Sequence, residues 1–165
     1  MTLDDETNPP QIRIVEWLTE EGYQPKNKED ITDSNDFLLD VFIQLINITI
    51  AKPKSFKRIV IGTGVILSDE DQRLYKSLNQ HVRREFKFEV LRDLLTMKLA
   101  FSSNPQDFEN EFKSVQLMDT IYYDGLSKDR LFSVINNVIR GYAMLMLNFE
   151  KYMLGYNPVS NNKLI

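Results

Sequence analysis

The stretch Val115–Tyr152, VQLMDTIYYDGLSKDRLFSVINNVIRGYAMLMLNFEKY, decides the fold. At its start Val115, Leu117, Asp119, Ile121 and Tyr123 alternate with Gln116, Met118, Thr120 and Tyr122. A period of two marks a strand. Asp124-Gly125 reads as a turn, with Gly125 expected at positive φ or in a tight turn, and Ser127 as the cap of a helix. Leu131, Val134, Val138, Leu145 and Phe149 then recur at helical spacing until Gly155 and Pro158 end the pattern. No strand here leads into a helix through a glycine-rich phosphate loop, which argues for an α+β arrangement and against a nucleotide-binding doubly wound sheet.

Upstream, Ile12, Val15 and Leu18 suggest a first helix over about 9–22, opened by Pro9 or Pro10 and stopped by Gly22. Residues 23–35 are polar and read as a loop. From Asp36 the period changes to two, and its apolar parity switches between Leu45 and Ile46, as a tight hairpin or bulge would require. Pro53 ends the second strand, and Arg58–Leu67 is a third. Ser68 followed by Asp69, Glu70 and Asp71 starts a second helix, because a serine cap and acids suit the positive end of the helix dipole. Leu74, Leu78, Val82 and Phe86 lie four apart, and Leu91, Leu94 and Leu95 resume the stripe, so one helix to about Met97 with a bend near Phe88 is expected. Leu99–Ser102 suits a short strand broken by Pro105, and Asp107–Lys113 suits one or two helical turns. The expected architecture is a single α+β domain over 9–155, ordered α-β-β-β-α-β-β-α, with five largely antiparallel strands under helices and flexible termini at 1–8 and 156–165.

The 165 residues suffice for one domain with a sizeable core. A balance of 20 basic against 24 acidic residues argues against a nucleic-acid partner. With no cysteine, a disulfide framework, a thiolate nucleophile and cysteine-ligated metal are excluded. The opening MTLDDETNPP lacks the basic start and apolar core of a signal peptide, and the longest apolar run, Ala143–Leu147, is far too short to span a bilayer. A cytoplasmic protein without a membrane partner is expected.

The search for chemistry yields little. Gly62-Thr63-Gly64 lacks the further glycines and helix start of a phosphate cradle and reads as a strand bend or bulge. His81 has only Glu85 at helical spacing and reads as a surface or half-buried polar residue. Asp119 and Asp124 flank Tyr122 and Tyr123; turn and capping roles compete there with a small-ligand or enzymatic site built on these four side chains. No cofactor or metal is implied. What remains is surplus apolar helix. Tyr142–Leu154 carries Tyr, Met, Leu and Phe nearly all round, and pliable methionines suit a permissive interface. Trp17, Tyr122, Tyr142, Met146, Phe149 and Met153 are therefore the candidate partner-binding residues.

Taken together, Ile14–Leu18 with Gly22, Ile59–Val65 and Ile121–Leu131 resemble domain-of-unknown-function family 2299, a chiefly archaeal family without an established activity, so no catalytic residues follow from the resemblance. The expected order of elements is also similar to the small α+β chaperones of type III secretion, which are homodimers that lay partly unfolded clients along apolar grooves. This resemblance implies protein binding as a class. The expected function is a homodimeric protein-interaction or chaperone-like module for a protein partner or partly unfolded polypeptide.

Overall fold

The computed structural model describes residues 9–28 and 34–155; the termini expected to be flexible, 1–8 and 156–165, lie outside the described residues. In chain order the elements are α1 (Pro10–Glu20), β1 (Lys26–Asn27), β2 (Asn35–Ile43), β3 (Ile46–Pro53), β4 (Arg58–Ile66), α2 (Asp69–Ser77), α3 (Gln80–Thr96), β5 (Ala100–Asn104), β6 (Ser114–Tyr122), a 3-10 turn (Tyr123–Gly125) and α4 (Lys128–Met153). The strands form one sheet in the order β1-β2-β3-β4-β6-β5, and β1–β2, β2–β3 and β3–β4 pair antiparallel. The class is α+β, as expected, with two corrections among the described residues: six strands rather than five, and four helices rather than three. The additional strand is two residues inside the polar loop, where Lys26 and Asn27 lie opposite Asp40 and Leu39. A strand so short leaves no alternation to read.

The described residues form two compact units, those up to 63 with 118–139, and 64–117 with 140–155. In the first, Pro10 opens α1 where its missing N–H costs nothing. The buried face of α1 is Ile14 and Leu18; Ile12, expected to face the core, is exposed. Gly22 ends the helix region at φ +82°, a left-handed conformation that glycine adopts without strain. Phe37, Leu39, Val41 and Ile43 of β2 and Ile46, Ile48 and Ile50 of β3 are buried. Between them Gln44 and Leu45 both take positive φ, 48° and 68°. Two such residues make the tight hairpin turn that matches the twist of the strands, and it accounts for the parity switch. As far as Gly62 the register of β3 with β4 is unbroken, Thr49, Ile50 and Ala51 facing Gly62, Ile61 and Val60.

In the second unit Ser68 accepts from the Asp71 N–H at 3.1 Å and caps α2 as expected. The long second helix does not exist. Leu78 is extended (ψ 144°), and Asn79 starts a new helix by accepting from the Val82 N–H at 2.9 Å. The break falls ten residues before the expected bend at Phe88, and it turns the buried face to Tyr75, Phe86, Val90 and Leu94. Leu95 and Phe88 are left exposed. Asp107–Lys113 is irregular rather than helical, because Phe108 and Phe112 anchor it by burial. Their rings, 4.9 Å apart, join Tyr75, Phe86 and Phe149 in one aromatic cluster with neighbouring centroids at 5.2–6.3 Å. Tyr75 donates its hydroxyl to the Phe108 carbonyl at 2.5 Å, tying the loop to α2. Burying an aromatic or large aliphatic side chain contributes roughly 1.5–3 kcal/mol relative to exposure, so each ring of this cluster stabilises the unit.

Ser127 caps α4, accepting from the Arg130 N–H at 3.2 Å. The 26 residues of α4 run ~39 Å at 1.5 Å per residue. Leu131, Val134, Val138, Leu145 and Phe149 are all buried. Of the two conformations expected for Gly125 it takes the tight turn, without positive φ: it ends the 3-10 turn, where the Leu126 N–H donates to the Tyr123 carbonyl at 3.2 Å.

Candidate functional site

The end of β4 and the last turns of α4 enclose an open groove of about 360 Å³. Along β4 and just beyond it, Thr63 and Leu67 point inward, so Ile66 falls on the outward side and is 85% exposed. Across from it stand Tyr142, Met146, Phe149 and Met153 of α4 and Leu154 just after it. These positions are four, three, four and one residues apart, one broad face of a helix. Phe149 and Met153 are buried and form the floor; Tyr142 and Met146 are half-buried walls; Ile66 and Leu154 are the exposed rim. Val65 and Leu67 complete the apolar lining, and among the described residues its only charged members are Asp71 and Glu150. Asp71 accepts from the Ser68 hydroxyl at 2.7 Å. The groove is therefore apolar inside, with acidic side chains at its edge.

Four of the six candidate partner-binding residues, Tyr142, Met146, Phe149 and Met153, come together here. Trp17 and Tyr122 belong to the other unit. Trp17 is half-buried, with the Arg13 guanidinium 4.9 Å from its ring centroid, and Arg13 also donates to the Leu126 carbonyl at 3.2 Å. Tyr122 is 63% exposed on the outward side of β6. Ile66 and Leu154 are groove residues that the helical stripe did not reveal. The signal for Ile66 was an isoleucine at an outward strand position, beside a glycine at the previous outward one.

Asp119 and Tyr122, three residues apart on β6, lie on opposite faces of the strand. Asp119 accepts from the Thr120 N–H at 2.7 Å and from the Asn137 amide at 3.3 Å, so both carboxylate oxygens are engaged. Tyr122 and Asp124 are exposed. Burial raises the Tyr123 phenol above its ordinary range, which keeps it protonated. His81 is a surface residue whose Nε2 lies 3.2 Å from Glu85. Among the described residues, no group of three or more His, Asp or Glu is placed to hold a metal ion, and no helix is long and apolar enough to cross a membrane.

Most other ionic contacts brace the second unit. Lys151 donates to Glu89 at 2.7 Å, and that bond raises its pKa. Arg84 and Gln80 donate to Glu109, and Lys87 to Asp107, which lowers both carboxyl pKa values. These pairs pin the aromatic-anchored loop to α3. Exposed pairs of this kind contribute little to stability and most of all fix geometry.

The described residues thus form an α+β fold with a six-stranded sheet and an apolar groove at the end of β4. The chain belongs to the family described as uncharacterized conserved protein (DUF2299), whose model matches residues 11–149. A crystal structure of an uncharacterized protein from Methanothermobacter thermautotrophicus is similar, with a TM-score of 0.79 and 30% identity, over 88% of this chain and 99% of that one. No curated protein matches the chain.

Proposed function

We propose that the protein is a cytoplasmic, homodimeric protein-interaction module of chaperone-like type, and that its groove takes an extended polypeptide segment with apolar side chains flanked by basic residues. The observation that carries this reading is the lining. Eight apolar residues, two of them pliable methionines, converge on one groove whose only charges among the described residues are the acids Asp71 and Glu150. Methionine adapts to differently shaped side chains, which suits a client site. The acidic rim sets the polarity of the partner. The alternative, a small-ligand or enzymatic site at Asp119, Tyr122, Tyr123 and Asp124, has no comparable convergence.

Two fluorescent peptides sharing one apolar core, flanked by lysines or by glutamates, test the reading by anisotropy. The lysine-flanked peptide is expected to bind at least fivefold tighter, and Glu150→Lys to remove that preference. Ile66→Asn is expected to weaken both by about tenfold with an unchanged melting temperature, because Ile66 is exposed. Equal binding of both peptides, or full binding by Ile66→Asn, refutes the assignment.

A further inference from the structure

We infer that the exposed face of α3 is a self-complementary docking surface for a second copy of this chain, with the two α3 helices antiparallel and Phe88 of each at the two-fold axis. This deepens the homodimer element of the reading above and rests on it. Phe88 and Leu95 are each 67% exposed and lie seven residues apart. Two helical turns separate them with a drift of only ~20°, so they form one apolar line. Phe88 also stands on the wall of an open cavity of about 640 Å³, closed on its other sides by Glu85 and Arg92 of α3 and by Lys151 and Tyr152 of α4. A projecting ring beside a hole on the same face is what an isologous interface needs, because each copy must supply both parts.

The charges set the direction. Glu85 and Arg92 flank Phe88 and are also seven residues apart, ~10.5 Å along the helix, too far to pair within one chain. Their partners in the single chain are weak ones. Glu85 meets the exposed His81 at 3.2 Å, and Arg92 meets its own sequence neighbour Asp93 at 3.2 Å, although adjacent residues on a helix do not face each other. When a second α3 runs antiparallel with its Arg92 against Glu85, symmetry forms the reciprocal pair as well. The axis then falls between residues 88 and 89, so the two Phe88 rings meet. A parallel, in-register pairing would instead set Glu85 against Glu85 and Arg92 against Arg92, which is repulsive.

Sedimentation equilibrium over a range of concentrations tests this. The wild-type chain is expected at about twice 19.4 kDa. Phe88→Glu is expected to sediment as a monomer with an unchanged circular dichroism spectrum, its side chain being largely in solvent. Glu85→Arg and Arg92→Glu should each raise the dimer dissociation constant at least tenfold, and the double swap should restore it to within threefold of wild type. Only a contact between copies explains that rescue, since the two residues do not touch in one chain. A Phe88→Glu dimer, or single swaps that leave the constant unchanged, overturns the α3 surface and leaves the homodimer reading standing. A wild-type monomer at every concentration overturns both, and the peptide titrations then judge the groove separately.

Discussion

Replacing Tyr75 by phenylalanine removes one oxygen from the centre of the second unit and nothing else. The ring keeps its neighbours Phe86 and Phe112, with centroids 5.7 and 5.8 Å away. The Phe108 carbonyl loses a 2.5 Å hydrogen bond in a place water does not reach, since both residues are buried. A net hydrogen bond is worth about 1 kcal/mol, and a buried acceptor left unpaired raises the cost toward 2 kcal/mol. For a chain of this size that is a fall of about 2–8 °C in melting temperature. Deleting the whole ring in Tyr75→Ala should cost more, about 3–5 kcal/mol. The pH dependence checks the cause. Burial raises the phenol pKa above its ordinary 10.0. The folded state thus retains a proton that the unfolded chain loses. The hydroxyl's contribution is complete below pH ~10 and falls above it, by up to about 1.4 kcal/mol per pH unit. Urea melts at pH 8 and pH 11 should therefore show the Tyr75→Phe penalty shrinking, or reversing, at the higher pH. A variant as stable as the parent at pH 8, or a penalty independent of pH, refutes the reasoning.

Gly141→Ala in α4 should destabilise by about 1 kcal/mol in thermal melts. Its Cβ would sit 2.3 Å from Leu99 Cδ1 and 3.4 Å from Leu117 Cδ1, and overpacking of roughly 1–3 kcal/mol outweighs a helix-propensity gain of about 1 kcal/mol. Asn79→Ala should cost about 1 kcal/mol by chemical denaturation, through loss of the cap that starts α3. Gly125→Ala should melt within about 0.5 kcal/mol of the parent, because a Cβ there meets nothing within 4 Å and φ is not positive.

Where a side chain directly bonds the backbone, the fold was legible in the sequence. Ser68 and Ser127 cap the helices they were expected to cap, and the parity switch at Leu45 and Ile46 located the hairpin, although neither of its left-handed residues is glycine. Legibility failed where tertiary contacts overrode a local pattern. Leu74, Leu78 and Val82 continue a helical stripe across Asn79, yet burial of Tyr75 and Phe86 on two separate helices won over one continuous rod. Phe108 and Phe112 have helical spacing, but they are anchors of an irregular loop, and no local signal distinguishes the two. The α4 half of the groove was legible because methionines and aromatics crowd one helix. The β4 half was not, since Ile66 becomes informative only once the inward side of its strand is known.

The central claim is that the groove at the end of β4 receives a polypeptide. A benzoylphenylalanine photo-cross-linker placed at Ile66, and in a separate variant at Phe42 of β2, tests it most directly, both positions being exposed apolar sites. Irradiation with the lysine-flanked apolar peptide, followed by mass-spectrometric mapping, should give cross-links from position 66 that an excess of unlabelled peptide abolishes, and few from position 42. Equal cross-linking from the two positions, or none from position 66, would contradict the account.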